Sequence, residues 1–256
     1  MVFEVSYYRS NLMEIPFLSS RFISKSLLTG FFIIASNSCE DNKPVLNPDY
    51  TGQTGQVADI DGNIYKTIGI GSQIWMAENL AYLPRIDKVE DGVFDADRFW
   101  VYNYFGDSVE EAKRTEAYTK FGVLYNWPAA AKICPSGWHM PTDKEWQEME
   151  ASLRMDTQQT GIRKWRQSGD VGKKLKSSSG WFSNHGTDEF GFRALPAGCR
   201  GYNGFESENF CGYFWTGSPS SGDNGWRRTI CFDENGIERT EDRRYFGCSV
   251  RCIKDE

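Results

Sequence analysis

The chain has 256 residues, which suits an N-terminal segment followed by one domain, and a domain of about 200 residues buries roughly 70% of its unfolded surface. Aromatic residues make up 15% of it while hydrophobics reach only 39%, and 25 glycines punctuate the sequence; this mix suits short strands and turns and excludes a helical bundle. A formal charge of -6 with no cluster of Lys and Arg excludes a nucleic-acid partner, since neutralising phosphates needs grouped cations.

At the N-terminus, Arg21 and Lys25 precede the apolar run Leu27 to Ala35, and Cys39 follows with Glu40 and Asp41 behind it. This reads as an export signal over residues 1–38 ending at a lipidated Cys39, which would anchor the mature chain in the outer membrane. The apolar run is too short to span about 30 Å of hydrocarbon at about 1.5 Å per residue. Ser36, Asn37 and Ser38 stand where such signals usually carry a small aliphatic residue. Met13 is a more typical start than Met1, and residues 1–12 read as a gene-start artefact.

Export places the other cysteines where disulfides persist. Cys134, Cys199, Cys211, Cys231, Cys248 and Cys252 are even in number and permit three bridges. No Cys-x-x-Cys occurs and His139 and His185 adjoin no cysteine pair, which argues against a zinc site.

Residues 39–55 contain Pro44 and Pro48 with almost no apolar periodicity and read as a flexible tether. From Gln56 the texture changes. Val57–Ile60, the turn Asp61-Gly62-Asn63, Ile64–Ile70, the turn Gly71-Ser72 and Gln73–Met76 predict a three-stranded meander. Asp59 to Asn63 has the flavour of a calcium loop but lacks the later ligands, so a hairpin turn is the reading. Residues 84–118 are acidic and aromatic and read as a long surface insertion.

Leu124–Ile133 predicts a first main helix, ended by Cys134-Pro135-Ser136-Gly137. A second spans residues 142–154, with Thr142 and Glu145 as a capping box and Trp146, Met149, Glu150 and Leu153 at helical spacing. A short third helix is expected over Asp170–Ser177, followed by strands at Phe192–Leu195, Tyr213–Trp215, Trp226–Phe232 and Phe246–Ile253. Helices set between strands predict an α+β fold of mixed short strands, two main helices and long loops, braced by disulfides.

The ordered motifs Val57-Ala58-Asp59-Ile60-Asp61-Gly62-Asn63-Ile64-Tyr65, Gln73-Ile74-Trp75-Met76-Ala77-Glu78-Asn79-Leu80, Leu124-Tyr125-Asn126-Trp127, Cys134-Pro135-Ser136-Gly137-Trp138-His139-Met140-Pro141-Thr142, Gly191-Phe192-Arg193-Ala194-Leu195-Pro196-Ala197-Gly198, Phe214-Trp215-Thr216 and Ser249-Val250-Arg251-Cys252 resemble the Fibrobacter succinogenes major paralogous domain over residues 56–256. The resemblance implies a C-type-lectin-like fold, a group that also holds formylglycine-generating enzymes, with both termini in one sheet. It also implies a bridge from Cys134 to Cys252. The remaining four cysteines allow three connectivities, of which Cys199 with Cys211 and Cys231 with Cys248 is the favoured one.

Function then divides between a binding module for a glycan or surface protein and an assembly subunit, with an enzyme less expected. The tripeptides Glu-Pro-Asn and Trp-Asn-Asp of calcium-dependent lectins do not occur, so a ligand face would draw on Trp100, Tyr102, Tyr104, Tyr202, Trp215 or Trp226. Formylglycine-generating enzymes need two reactive cysteines about five positions apart, and Cys248 with Cys252 only approaches that spacing. No catalytic residue, metal site or cofactor is therefore expected. His139 is expected to bond a backbone carbonyl. Trp75, Trp127, Trp138, Trp146 and Trp215 are expected in the core, and Gly62, Gly137, Gly191 and Gly198 in turns.

Overall fold

The computed structural model describes residues 48–90 and 96–256. The expected signal over residues 1–38, Cys39 and the first part of the tether lie outside the described residues. Among the described residues no helix is long and apolar enough to cross a membrane.

The meander forms as β1 (Thr54–Ala58), β2 (Ile64–Ile70) and β3 (Gln73–Met76). Its first turn is closed by Asp59, whose carboxylate accepts from the backbone N–H groups of Asp61 and Asn63 at 3.0 Å and from the Tyr65 hydroxyl at 2.5 Å. Those bonds occupy the oxygens that a calcium ion would need, which is the physical content of a hairpin turn here. Backbone pairing reaches back before the expected boundary at Gln56: Tyr50 N–H donates to Gly71 O and Gly69 N–H to Gln53 O, both at 2.7 Å. Backbone pairing thus recruits residues that composition alone marks as tether.

Residues 96–121 are not a plain surface insertion. They supply β4 (Phe99–Trp100), α1 (Val109–Lys113) and α2 (Glu116–Phe121), and Phe99, Trp100, Val101 and Phe121 are buried. The first main helix is cut down to α3 (Trp127–Ala130), because Leu124–Tyr125 pairs with β4 as β5. Tertiary pairing overrides the helical propensity of this stretch, and the Asn126 side chain caps what remains by accepting from Ala129 N–H at 3.2 Å. After β6 (Trp138–His139), the second main helix appears as expected, α4 (Asp143–Ser152), with both halves of the Thr142–Glu145 capping box made.

Then follow α5 (Thr157–Thr160), β7 (Lys164–Arg166) and α6 (Val171–Leu175). The C-terminal half is a run of strands: β8 (Ala197–Gly201), β9 (Gly204–Glu208), β10 (Cys211–Pro219), β11 (Asn224–Cys231), β12 (Ile237–Arg243) and β13 (Ile253–Lys254). The strand expected at Phe192–Leu195 is only a single bridge between Ala194 and Lys176, and most of Phe246–Ile253 runs as isolated bridges. Two main sheets result, in the orders β1-β2-β3-β13-β6 and β7-β12-β11-β10-β8-β9. The first and last strands therefore share one sheet, as the resemblance implies, and the described residues form a mixed α+β fold.

Several motifs meet at Arg251, which is buried. Its Nε donates to Asn79 Oδ1 at 2.9 Å and its Nη2 to Arg193 O at 2.8 Å, while Asn79 Nδ2 donates to Phe121 O at 3.0 Å and to Ser249 Oγ at 3.2 Å. Burial pushes the guanidinium pKa down to about 9, and the rings of Phe192 and Phe214 lie 4.3 and 5.6 Å from its carbon. Trp75, Trp146, Phe192 and Phe214 form the adjoining aromatic core, with Trp75 and Trp146 edge-to-face at 4.9 Å. Trp215 is buried too, whereas Trp127 and Trp138 are half-buried against the core.

An ionic network beneath α4 was not anticipated from sequence. Glu150 lies two turns after Asp143 on the buried side of the helix. Glu150 Oε1 accepts from Arg166 Nη2 at 2.9 Å and Arg228 Nε at 2.6 Å, and its Oε2 accepts from Arg166 Nη1 at 2.5 Å. Asp143 Oδ1 accepts from Arg228 Nη1 at 2.7 Å and Arg239 Nε at 2.9 Å. Arg228 and Arg239 are directly opposed in the β11–β12 ladder, a repulsive arrangement unless a carboxylate sits between them. Asp143 occupies that place. Lys176 is a further buried cation, its Nζ donating to the carbonyls of Asn184, Cys231, Phe232 and Glu234 at 3.0 to 3.3 Å, and burial lowers its pKa to about 8.

Two disulfides form among the described residues. Cys134–Cys252 joins the loop after α3 to the approach of β13, as the resemblance implies, across a sequence separation of 118. The favoured pairing of the other four cysteines is corrected: Cys211 bonds Cys231, and Cys199 and Cys248 are buried free thiols. The reason is register, because Cys211 and Cys231 stand opposite each other in the β10–β11 ladder with Cα atoms 4.1 Å apart.

Candidate functional site

The aromatic residues proposed from sequence separate into distinct environments. Trp100 is fully buried, its Nε1 donating to Lys88 O at 3.1 Å and the Arg200 guanidinium lying over its ring. Trp215 is also buried, with Nε1 donating to Tyr125 O at 2.8 Å. Neither presents a face to a ligand, which corrects that expectation: an acidic neighbourhood in sequence did not keep Trp100 from folding inward beside Leu124. Trp226 is half-buried and one face is covered by Arg239, whose guanidinium carbon stands 3.6 Å from the ring centroid. The Tyr104 hydroxyl donates to Ser108 O at 3.0 Å, closing the turn into α1. Tyr202 is exposed at the tip of the β8–β9 hairpin, edge-on to Phe246 at 4.7 Å.

Tyr102 borders a polar cleft. A volume of about 340 Å³ is lined by Tyr102, Asn103, Glu116, Lys120, Glu208 and Asn209, with Thr115, Ala117 and Phe121 completing the wall. That size lies within the range of small-molecule sites. The ring of Tyr102 is held by Phe205 at 5.1 Å, and its hydroxyl accepts from Glu208 N–H at 3.4 Å. Gly198 makes room for it: φ is +65° there, and a Cβ would stand 2.7 Å from Tyr102 Cε2. Asn103 at φ 57°, Ser207 at 63° and Asn209 at 63° hold left-handed backbone around the cleft, a conformation that costs free energy and is kept where surrounding structure imposes it. Partial burial raises the Tyr102 pKa and outweighs the opposing hydrogen bond from Glu208 N–H, so the hydroxyl stays neutral over the physiological range.

A second cleft of about 390 Å³ lies on the other flank of α2 and shares Lys120 and Phe121 with the first; Asn63, Tyr65, Glu78, Tyr118 and Arg193 line it. Among the described residues no group of three His, Cys, Asp or Glu stands together as a metal-binding set. The phenylalanines Phe182, Phe210 and Phe232 form a separate surface cluster, Phe182 stacked on Phe210 at 5.0 Å and 67% exposed.

His139 bonds two carboxylates rather than the expected backbone carbonyl. Nδ1 lies 2.6 Å from Asp255 Oδ1 and Nε2 lies 2.8 Å from Glu145 Oε1, while Glu145 Oε2 completes the helix cap by accepting from Thr142 N–H at 2.6 Å. Partial burial opposes the imidazolium, yet the two carboxylates outweigh it and raise the pKa above the ordinary 6.5. Protonation therefore stabilises the folded chain: the contribution is complete below about pH 6.5 and is lost as pH rises through the raised value. We expect His139→Gln to flatten the pH dependence of the denaturant midpoint above about pH 6.5. An unchanged slope in that variant would show that these contacts contribute nothing.

What fold and cleft define is a disulfide-braced α+β domain with a polar, tyrosine-bordered surface cleft. A family model, the Fibrobacter succinogenes major domain, matches residues 68–254, and the chain belongs to that family. No curated protein and no solved structure gave a match.

Proposed function

We propose that this domain is a non-enzymatic recognition module at the cell surface, that a carbohydrate is its ligand, and that the Tyr102 cleft is where it binds. One observation carries the reading: a tyrosine ring locked by Phe205 and Gly198 borders a cleft whose other walls include two carboxylates, two amides and one ammonium beside Thr115, Ala117 and Phe121. Sugars offer C–H faces to an aromatic ring and hydroxyls to such polar groups, and a pre-set ring loses little entropy on binding. Lipidation of Cys39 and display from the outer membrane complete the proposal, supported by Arg21, Lys25 and the apolar run ahead of that cysteine. The C-type-lectin-like assignment is likewise proposed, supported by the sheet shared by the first and last strands, β1 and β13, and by the Cys134–Cys252 bridge. Against chemistry of the formylglycine-generating kind, the two free thiols are buried, and burial raises the Cys199 pKa to about 12.

A glycan array probed with purified residues 40–256 tests the reading. We expect selective binding that falls at least tenfold in Tyr102→Ala with folding intact. Uniform silence on the array, or a hit indifferent to that substitution, would remove the carbohydrate reading. The exposed Phe182 cluster favours a second reading, a docking face within a surface assembly, because rings of this size are seldom left in water without a partner.

A further inference from the structure

Cys199 and Cys248 are both buried and unbonded, in separate segments of the chain. Arg200 of β8 and Gly247 exchange two backbone hydrogen bonds, Arg200 N–H to Gly247 O at 2.9 Å and Gly247 N–H to Arg200 O at 2.8 Å. Such an exchange defines a hydrogen-bonded antiparallel pair, and the next facing pair is non-hydrogen-bonded, with Cα atoms about 4.5 Å apart and side chains on one face. One residue earlier on β8 and one later on its partner, that next pair is Cys199 opposite Cys248.

The backbone of Cys248 agrees with this register. Its N–H donates to Tyr125 O at 3.0 Å and its carbonyl accepts from Tyr125 N–H at 2.9 Å, so both groups turn away from β8. The two thiols also share an electrostatic environment, since Arg227 and Asp242 act on each of them. The bridge already present uses the same arrangement: Cys211 opposes Cys231, and the hydrogen bond from Phe232 N–H to Phe210 O, at 2.8 Å, lies in the pair beside it.

We propose that Cys199 and Cys248 form a third, cross-strand disulfide that staples β8 to the segment leading into the last strand. The oxidant is a disulfide, either of a thiol oxidoreductase or of a small thiol. One cysteine thiolate attacks the oxidant and expels one of its thiols, leaving a mixed disulfide; the other cysteine attacks that bond and releases the second thiol. The pair loses two electrons and two protons, and the oxidant gains both. Burial pushes both thiols up, Cys199 to about 12, so thiolate is scarce once the segment is seated and the bridge must close during folding or local opening. β8 and its hairpin partner carry Gly198 and Phe205, which hold Tyr102, so the staple would stiffen one wall of the cleft. The inference rests on strand register and stands independently of the carbohydrate reading.

The test is peptide mapping of the full chain refolded in a glutathione redox buffer, alkylated under denaturing conditions without reduction. The expected map holds a Cys199–Cys248 linked peptide beside Cys134–Cys252 and Cys211–Cys231. Cys199→Ser should leave Cys248 alkylated and the other two bridges unchanged. Cys199 and Cys248 both alkylated in material carrying the other two bridges would overturn the proposal, as would either of them linked to a different cysteine. Chain secreted into an oxidising periplasm gives the same discrimination should refolding fail.

Discussion

Glu150→Gln is expected to destabilise the fold by about 3–5 kcal/mol, the cost of breaking a buried ion pair from one side. The substitution preserves shape but removes the charge that faces both Arg166 and Arg228. All three side chains are essentially without solvent contact, so water cannot take over the lost bonds. Arg166 Nε is already without a hydrogen-bond partner, which leaves that guanidinium little slack. Asp143 cannot compensate, because its two oxygens are engaged by Arg228, Arg239 and Gln147. Urea denaturation followed by fluorescence gives the comparison, and a loss below about 1 kcal/mol would mean that the arginines find other partners. The same network implies an acid limit. The Asp143 pKa is lowered from 3.8 because Arg239 and Arg228 outweigh its burial, so the stability it contributes is present above about pH 4 and is lost as pH falls through the depressed value.

Removing the long bridge by Cys134→Ala with Cys252→Ala is expected to cost a similar amount. Closing a loop of about 100 residues is worth about 4.7 kcal/mol in the chain-entropy model, and this bridge spans a sequence separation of 118. For a domain of this size the loss corresponds to a fall in Tm of about 10–19 °C. Cys252 is fully buried, and its carbonyl accepts from Met76 N–H at 2.9 Å, so the backbone of the shared sheet stays paired without the sulfur link. The effect should therefore fall on stability while the native secondary structure persists. Scanning calorimetry and far-ultraviolet circular dichroism separate the two; an unchanged Tm would show that the bridge constrains nothing in the unfolded chain.

The legible parts of the fold were those governed by short-range rules. The Thr142–Glu145 box marked the start of α4 because one side chain and one backbone group satisfy each other three residues apart, a pattern visible in any single sequence. The β1–β3 meander followed from alternation and from Asp59 and Gly62 at the first turn. Long-range pairing was not legible. Leu124 and Tyr125 carry no local mark of their pairing with Phe99, Trp100 and Cys248, which overrode a helical segment. Nor did spacing distinguish Cys211–Cys231 from its alternatives, since only the β10–β11 register sets those residues face to face.

One signal was present and unread. Glu150 sits among Trp146, Met149 and Leu153 on the buried side of α4, and an acidic residue within an apolar stripe implies a buried cation to meet it. Its cations come from β7, 16 residues on, and from β11, 78 residues on, and no local pattern marks either arginine as the partner. The cleft was partly legible. Tyr102 belonged to the aromatic set, but Asn103, Glu116, Glu208 and Asn209 had no distinguishing pattern, and Trp100 two residues earlier points into the core.

The central claim is that recognition occurs at the Tyr102 cleft. The most direct measurement is a backbone amide NMR titration of the labelled domain with the sugar that the array selects. Binding at the cleft gives saturable shift changes concentrated at Tyr102, Asn103, Lys120, Glu208 and Asn209. Changes centred instead on Phe182, Phe210 and Phe232, or no changes at saturating sugar, would contradict it.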